Sequence, residues 1–298
     1  MGSQSQSLNN RIKKSSTKKK SVLLFWKRFS KRKVSVFGLV TILLFILLST
    51  IGPLLTPYDP VDQNLINNFQ SPSMGHWLGT DNLGRDLLTR VIYGARISFQ
   101  ISIVSVGLGL LGGLILGGIS GYYGKKIDTI IMRFIDIMLA FPGILLAIAI
   151  VAVLGNGVLN TMIAVAIFTI PEFARIFRGS VISIKEQEYI EASKAIGFSD
   201  FKIIFRHITP NALSPLIVQA TQLMGTSILI ASGLSFIGLG VQPPNPEWGA
   251  MLSGAREYLS TYSMLAIAPG VAITLVVLSF SLVGDGLRDV LDPQLKNK

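Results

Sequence analysis

The chain has 298 residues, of which 50% are hydrophobic and only 14% are charged, and its mean hydropathy is +0.56. Soluble domains average about 25% charged residues, so this composition indicates a membrane protein. There is no cysteine and there are only two histidines, His76 and His207. This excludes disulfides, thiolate metal sites and cysteine nucleophiles, and it argues against a multi-histidine metal site.

The net charge of +11 is concentrated near the N-terminus. Residues 1–33 hold 11 of the 27 Lys and Arg and no acidic residue, and the other 16 basic residues balance the 16 Asp and Glu. A basic tail can bind nucleic acid, but this one directly precedes an apolar run. A positively charged cytoplasmic flank, resting on anionic lipid headgroups, explains it better.

The apolar run from Val34 to Ile51 is 18 residues long. The apolar region of a signal peptide is shorter, about 7–15 residues, and no small-residue cleavage site follows. We therefore predict an uncleaved membrane anchor at 34–55.

Six segments are apolar enough, and long or nearly long enough, to span a membrane, which takes roughly 20 residues. They lie at about 34–55, 97–120, 135–154, 158–177, 211–239 and 264–284. With the N-terminus inside, 23 of the 27 Lys and Arg fall in cytoplasmic segments, and only Arg85, Arg90, Arg96 and Arg256 fall outside. The positive-inside rule then predicts an all-α polytopic membrane protein with six spans and both termini in the cytoplasm.

Small residues recur every four positions along the second span: Ser105, Gly109, Gly113, Gly117 and Gly121. On a helix these positions share one face, which lets another helix approach closely. Glycine also lowers helix propensity by about 1 kcal/mol per residue, so a flexible or broken helix is the alternative interpretation. We predict that the four glycines form a helix-packing face.

The spans lack the groups that chemistry or ion coupling needs. No ionisable side chain occurs at 97–120, 137–171, 211–246 or 264–284. Pumps and ion-coupled carriers mark their route with such groups, so a secondary carrier or channel is disfavoured, although sodium coupling through backbone carbonyls stays open. A membrane enzyme is disfavoured because paired carboxylates, a Ser–His arrangement and a metal cluster are missing.

The phosphate-binding pattern G-x-x-x-x-G-K-[ST] is also missing from the sequence. We therefore expect no catalytic site, no bound cofactor and no metal on this chain. Energy for uphill transport would have to come from another protein.

Residues 188–210 read EYIEASKAIGFSDFKIIFRHITP and lie between the fourth and fifth predicted spans. Gly197 predicts the end of one helix. Ser199 and Asp200 predict the start of a second helix, and Pro210 predicts the start of the next span. The predicted apolar side of the first helix is Ile190, Ala192, Ala195 and Ile196, and that of the second is Phe201, Ile203, Ile204, Phe205 and Ile208. Such a helix–bend–helix unit suits the groove of another protein, with a hairpin on the membrane surface as the alternative.

This stretch resembles the EAA loop of the inner-membrane permease subunits of ABC importers. The resemblance rests on Glu191-Ala192-Ser193, on Gly197 and on Ile208-Thr209-Pro210. It implies that a loop at 185–209 forms the coupling helix, which sits in a cleft of a cytoplasmic ATPase. The implied coupling residues are Glu188, Glu191, Ala192, Ser193, Gly197, Phe198 and Asp200. Ser193 replaces the usual second Ala, and Thr209 stands where Leu is common, but Ser is small enough for the same contact.

Three further segments are similar to C-type permeases for oligopeptides, dipeptides and nickel. They are HWLGTDNLGRDLLTRVIYGARIS (76–98), LSFIGLGVQPPNPEWGAML (234–252) and GDGLRDVLDPQL (284–295). The resemblance covers nearly everything from about residue 22 onward. It implies a basic tail (1–33), an anchor (34–55), an extracytoplasmic loop (56–93), a five-helix permease core (94–285) and a cytoplasmic tail (286–298).

The resemblance also implies partners and a location. The chain would pair with a homologous permease in a prokaryotic cell membrane, bind two ATPase subunits that use ATP and Mg, and receive solute from an extracytoplasmic binding protein. Di- or oligopeptides fit a neutral, apolar path, and nickel or a metal chelate is the alternative cargo.

Several residues of these segments have structural interpretations. Asp81, Arg85 and Asp86 are expected mainly to form a turn, an N-cap and salt bridges rather than a partner contact. Trp248 is expected at the outer membrane–water interface. His76 is expected to be solvated in a loop, and His207 to lie on the surface of the coupling helix.

Overall fold

The computed structural model describes residues 24–291, apart from the side chains of residues 53 and 55. The predicted tails therefore lie largely outside the described part: residues 1–23 of the first and 292–298 of the second. Within 24–291 every regular element is helical.

Ten α-helices of this region are used below. They are α1 (Lys33–Leu55), α2 (Leu87–Tyr123), α3 (Lys125–Ala140), α4 (Gly143–Leu154), α5 (Val158–Lys185), α6 (Glu188–Ala195), α7 (Asp200–Ile203), α8 (Leu213–Phe236), α9 (Trp248–Ala255) and α10 (Met264–Leu291). A π-helical turn, Ile204–Ile208, and a helical turn, Thr209–Asn211, join α7 to α8.

Five of these helices are long and apolar enough to cross a membrane: α1, α2, α5, α8 and α10. They confirm five of the six predicted spans. The sixth predicted span, 135–154, is broken in the structure, because α3 and α4 meet there at 95°. Pro142 has no backbone N–H and forces Phe141 into extended backbone (ψ 135°), so the helix ends at Ala140.

The bent pair lies between two helices that run in the same direction. Gly109 lies against Ala166 and Thr169, and Gly121 lies against Arg178 and Val181, so α2 and α5 run in the same direction. Since α2 and α5 are parallel, the chain between them must return to the opposite end of the bundle. Residues of α3 and α4 make that return, so the described part of the chain has five candidate crossings, or six if this bent pair is counted as one.

The four glycines of α2 lie on the face that meets α5. A Cβ on Gly113 would lie 2.3 Å from the Cβ of Phe173, and one on Gly117 would lie 2.4 Å from the carbonyl oxygen of Ala174. Backbones this close leave no room for a side chain. On another face of α2, a Cβ on Gly107 would meet no atom within 4 Å.

The anchor α1 packs along α10. A Cβ on Gly38 would lie 2.8 Å from the carbonyl oxygen of Ser279. A Cβ on Gly286 would lie 2.5 Å from Oγ of Ser35. Arg32, just before the start of α1, forms an ion pair of 2.5 Å with Asp289 in the last turn of α10. The anchor is therefore a packed part of the bundle.

Polar networks close the end of the bundle where α2 begins. Asp86 caps α2 by accepting the Thr89 N–H at 2.8 Å, and its other oxygen lies 2.9 Å from Nδ1 of His76. The His76 ring stacks on Tyr58, with ring centroids 4.6 Å apart. The prediction of a solvated His76 is therefore wrong, because its ring is held by a carboxylate and an aromatic ring.

Trp248 is also placed differently from the prediction. It is fully buried rather than at a membrane–water interface. Its Nε1 donates to the carbonyl oxygen of Val91 at 2.9 Å, and its ring meets Phe45 edge to face. Gly94 makes room for the ring, since a Cβ there would lie 2.7 Å from it.

Candidate functional site

The loop between α5 and α8, residues 186–212, contains most of the predicted coupling segment 185–209 and is called the coupling loop below. Its first helix, α6, ends in a Schellman motif. The N–H of Gly197 donates to the carbonyl oxygen of Lys194 at 2.9 Å, and the N–H of Phe198 donates to that of Ser193 at 3.1 Å. This motif needs a left-handed residue after the helix, and Gly197 supplies it with φ +83°.

Ser199 occupies the N-cap position of α7, but its side chain accepts no capping hydrogen bond. Asp200 is the acidic residue of the first turn. The sequence thus predicts the bend and the second helical start correctly, although α7 has only one turn before the chain widens into the π-helical turn.

The inner face of the coupling loop belongs to the core of the bundle. Ile190, Ile203 and Ile208 are fully buried and share one apolar cluster with Phe177 and Val181 of α5. Ala212 and Leu216, which continue into α8, belong to the same cluster. A displacement of the coupling loop must therefore move α5 and α8 with it, because close-packed side chains transmit strain.

The outer face of the loop is apolar and uncovered. The exposed fraction is 71% for Ile196, 70% for Phe201 and 54% for Phe205, and the two phenyl rings lie 4.4 Å apart. Ala192 and Ala195 are exposed beside them. The predicted apolar sides are therefore wrong in part, since Ile190, Ile203 and Ile208 are buried and Ile204 is half-buried, whereas the other named residues are exposed.

The acidic residues of α6, Glu188 and Glu191, are exposed on its surface. Neither makes an ion pair with another residue in 24–291. The structure thus places them where a second protein has access to them.

Tyr122, in the last turn of α2, touches both halves of the loop. Its hydroxyl donates to Oδ1 of Asp200 at 2.6 Å, and Nζ of Lys194 lies 5.1 Å from its ring centroid. Near the start of α8, Asn211 donates to the Tyr189 hydroxyl at 3.2 Å. The end of α2, both loop helices and α8 therefore form one connected unit.

The two departures from the family pattern are satisfied locally. Ser193 is buried, and its hydroxyl donates to the carbonyl oxygen of Tyr189 at 2.7 Å, one turn earlier. Thr209 likewise donates to the carbonyl oxygen of Ile204 at 2.9 Å within the π-helical turn. Neither hydroxyl is left unpaired, so neither departure disturbs the local fold.

His207 is half-buried, which differs from the predicted surface position. Its ring packs beside Phe198, with centroids 5.7 Å apart. Its Nε2 is buried and makes no hydrogen bond within the described part of the chain.

Ion pairs attach α3 to the same end of α5. Arg178 forms a bidentate pair with Asp128 at 2.5 Å, and Arg175 pairs with Asp136 at 2.6 Å. Nζ of Lys185 donates to the carbonyl oxygen of Gly121 at 2.9 Å. Three positive side chains of α5 thus hold the ends of α2 and α3 next to the coupling loop.

A cavity of about 570 Å³ with a mixed polar and apolar lining opens beside the loop, between α5, α8 and α10. Its polar lining residues are Asn211, Ser214, Gln219, Gln222 and Arg288. Sequence reasoning missed this site, although Gln219 and Gln222, three residues apart in an apolar helix, are a usable signal. Elsewhere, no three His, Asp or Glu side chains gather as a metal site within 24–291.

Sequence comparison identifies the family. Residues 113–297 match the model of the binding-protein-dependent transport system inner membrane component, and residues 23–72 match the N-terminal transmembrane domain of oligopeptide transport permease C. The dipeptide transport system permease protein DppC of Alkalihalophilus pseudofirmus is 50% identical, over 91% of this chain and 90% of that protein. The glutathione transport system permease protein GsiD of Pectobacterium atrosepticum is 48% identical, over 92% and 91%.

Solved structures share the fold. The inward-facing MetNI methionine ABC transporter matches with a TM-score of 0.54 and 19% identity, over 68% of this chain and 97% of that chain. An amino acid ABC transporter matches with a TM-score of 0.51 and 17% identity, over 66% and 92%. The chain therefore belongs to the family of binding-protein-dependent inner-membrane transport components, as a multi-pass permease subunit of an ABC importer.

Proposed function

We propose that this permease carries di- or oligopeptides across the membrane together with a second, homologous permease. Relatives that share about half of its residues are named for dipeptide and glutathione transport. In the proposed complex, two ATPase subunits bind ATP and Mg and hydrolyse ATP, and an extracytoplasmic binding protein delivers the solute.

The observation that carries the mechanism is the two-sided coupling loop. Its outer face presents Ile196, Phe201 and Phe205, and its inner face is buried against α5 and α8. Large exposed aromatic and aliphatic side chains typically mark the centre of a protein–protein contact. A partner that grips the outer face and moves would therefore shift α5 and α8 directly.

We further propose that the coupling loop lies in the cytoplasm, as the distribution of Lys and Arg indicates. ATP-driven closure of the two ATPases would draw the loops of the two permeases together. The membrane-spanning helices would then switch between outward-open and inward-open arrangements. The cavity beside the loop is lined by residues of α5, α8 and α10, so such a movement would open or close it.

Uptake into proteoliposomes that contain the whole importer tests this proposal. Labelled dipeptide should accumulate only with ATP and the binding protein, and labelled nickel ion, supplied to the same vesicles, should not. Glu191→Lys and Gly197→Pro should lower uptake about tenfold or more while the complex still hydrolyses ATP.

Asp62→Lys is the matched control, because Asp62 is an exposed acid at the other end of the bundle. It should leave both uptake and hydrolysis unchanged. Normal uptake by Glu191→Lys and Gly197→Pro would overturn the assignment of the coupling loop, and accumulation of nickel in place of peptide would overturn the substrate class.

A further inference from the structure

A second cavity, of about 210 Å³, lies at the end of the bundle opposite the coupling loop. It is an open cavity, bounded by the segment that precedes α2, by α9 and by the start of α10. Its apolar lining includes Leu87, Met251 and Leu265, and its charged lining consists of Asp81, Arg85 and Arg90. None of the functions described above uses this cavity.

Arg85 has donor groups without acceptors. The residue is only 9% exposed, and its Nε donates to Oδ2 of Asp81 at 2.7 Å. Its two terminal nitrogens donate to no residue in the described range 24–291, although the side chain lines the cavity. These nitrogens are open to the cavity, where an acceptor that comes from outside can reach them, and a guanidinium donates through them in a fixed fork.

The charge of the cavity wall is positive. Arg90 donates through Nη1 to the carbonyl oxygen of Pro60 at 2.6 Å, and its Nε lies 3.5 Å from Asp81. Asp81 therefore faces two guanidinium groups and neutralises only one of them. An anion is the ligand that this balance favours, and a carboxylate fits the guanidinium fork in particular.

Other acidic side chains nearby are engaged elsewhere. Both oxygens of Asp86 are occupied by Thr89 and His76. Glu247, the N-cap residue of α9, is buried and accepts from the Ala250 N–H and the Ser232 hydroxyl. Neither side chain can accept a hydrogen bond from the terminal nitrogens of Arg85 without giving up these bonds.

We propose that this cavity binds the terminal carboxylate of a peptide, with the side chain of its last residue over Leu87, Met251 and Leu265. Sites for whole small molecules enclose about 300–1,000 Å³, so a cavity of about 210 Å³ accommodates one residue rather than an entire peptide. The inference rests on the proposed peptide function and adds a permease site that receives the released solute.

Binding to the complete permease–ATPase complex in nanodiscs, without the binding protein, tests this site. The probes are labelled Ala-Ala-Phe and its C-terminal amide, each measured by equilibrium dialysis. The free acid should bind about tenfold or more tightly than the amide, because a charge-assisted bidentate contact is lost in the amide.

Two variants probe the site in different ways. Arg85→Gln should weaken binding of the acid about tenfold and leave binding of the amide within about twofold. Gly254→Leu should abolish binding of both probes by filling the cavity, since a Cβ on Gly254 meets no atom within 4 Å. Gly107→Leu, equally free of contacts on α2, is the control and should bind as the wild type does.

Equal affinity of acid and amide, or unchanged binding to Gly254→Leu, would overturn the inference. Binding of labelled Ala-Ala-Phe that requires the binding protein would also overturn it. In that case Arg85 and Arg90 would be expected to contact an acidic side chain of the binding protein. ATP-driven uptake of Ala-Ala-Phe by the same preparation separates the two proposals. If wild-type uptake is present and only the site results fail, the peptide function stands.

Discussion

The Tyr122 hydroxyl donates a hydrogen bond of 2.6 Å to Oδ1 of Asp200. This bond joins the last turn of α2 to the first residue of α7, 78 residues later in the chain. The parallel helix α5 ends at the same place and leads directly into the coupling loop. A movement of the loop therefore acts on α2 and α5 together.

Tyr122→Phe should weaken coupling while preserving the fold. The change removes the hydrogen bond to Asp200, worth about 0.5–1.5 kcal/mol, but keeps the ring beneath Lys194. We expect the ratio of peptide imported to ATP hydrolysed to fall about two- to tenfold in proteoliposomes. Tyr123→Phe, at the neighbouring exposed residue, should leave the ratio unchanged. An unchanged ratio in Tyr122→Phe would show that this contact does not transmit movement.

Gly197→Asn and Gly197→Val should behave differently. A Cβ at this position meets no atom within 4 Å, so only the left-handed backbone, with φ +83°, restricts substitution. Asn adopts this conformation readily, whereas a β-branched residue is strained there, and the left-handed region costs an ordinary residue about 1–2 kcal/mol. Uptake should survive in the Asn variant and fall in the Val variant. Equal uptake by the two would mean that the Schellman motif is dispensable.

Gly113→Ala should lower the melting temperature in detergent. The added Cβ would lie 2.3 Å from the Cβ of Phe173, so α2 and α5 must separate, and overpacking of this kind costs about 1–3 kcal/mol. Gly107→Ala is the matched control, because its Cβ enters open space and alanine favours the helix by about 1 kcal/mol. A melting temperature that is higher for Gly113→Ala than for Gly107→Ala would show that the close packing of α2 on α5 does not limit stability.

Glu247→Gln should change how stability depends on pH. Burial raises the pKa of Glu247, so the native state holds its proton at pH values where the unfolded chain releases it. Its stabilising contribution is therefore complete below the unfolded pKa and is lost as pH rises through the folded pKa. The wild type should lose more thermal stability than Glu247→Gln between pH 5 and pH 8. Parallel pH profiles would indicate that Glu247 is ionised in the folded protein.

The sequence predicts the features that depend on local chemistry. Apolar length predicts five spans, and Gly197 followed by Ser199 predicts the bend of the coupling loop. Both signals act within one or two helical turns, so neither needs the tertiary structure. The break at Phe141–Pro142 carried a local signal as well, since proline restricts the residue before it.

Long-range relationships could not be predicted in the same way. In a membrane chain the surfaces that face lipid, neighbouring helices and partner proteins are all apolar, so apolarity alone does not show which side of α6 is buried. Ile190 is buried and Ile196 is exposed, although both belong to the same predicted side. Burial of Trp248 likewise depends on the space left by Gly94, which lies more than 150 residues away in the sequence.

Cross-linking of the coupling loop tests the central claim most directly. The chain has no natural cysteine, so a single Ile196→Cys provides a unique thiol on the exposed outer face. Met74→Cys, at a residue that is 95% exposed at the opposite end, is the control. With a maleimide–succinimide cross-linker in native membranes, Ile196→Cys should join the chain to an ATPase subunit, and Met74→Cys should not. An ATPase adduct from Met74→Cys, or none from Ile196→Cys, would contradict the assignment of this loop to energy coupling.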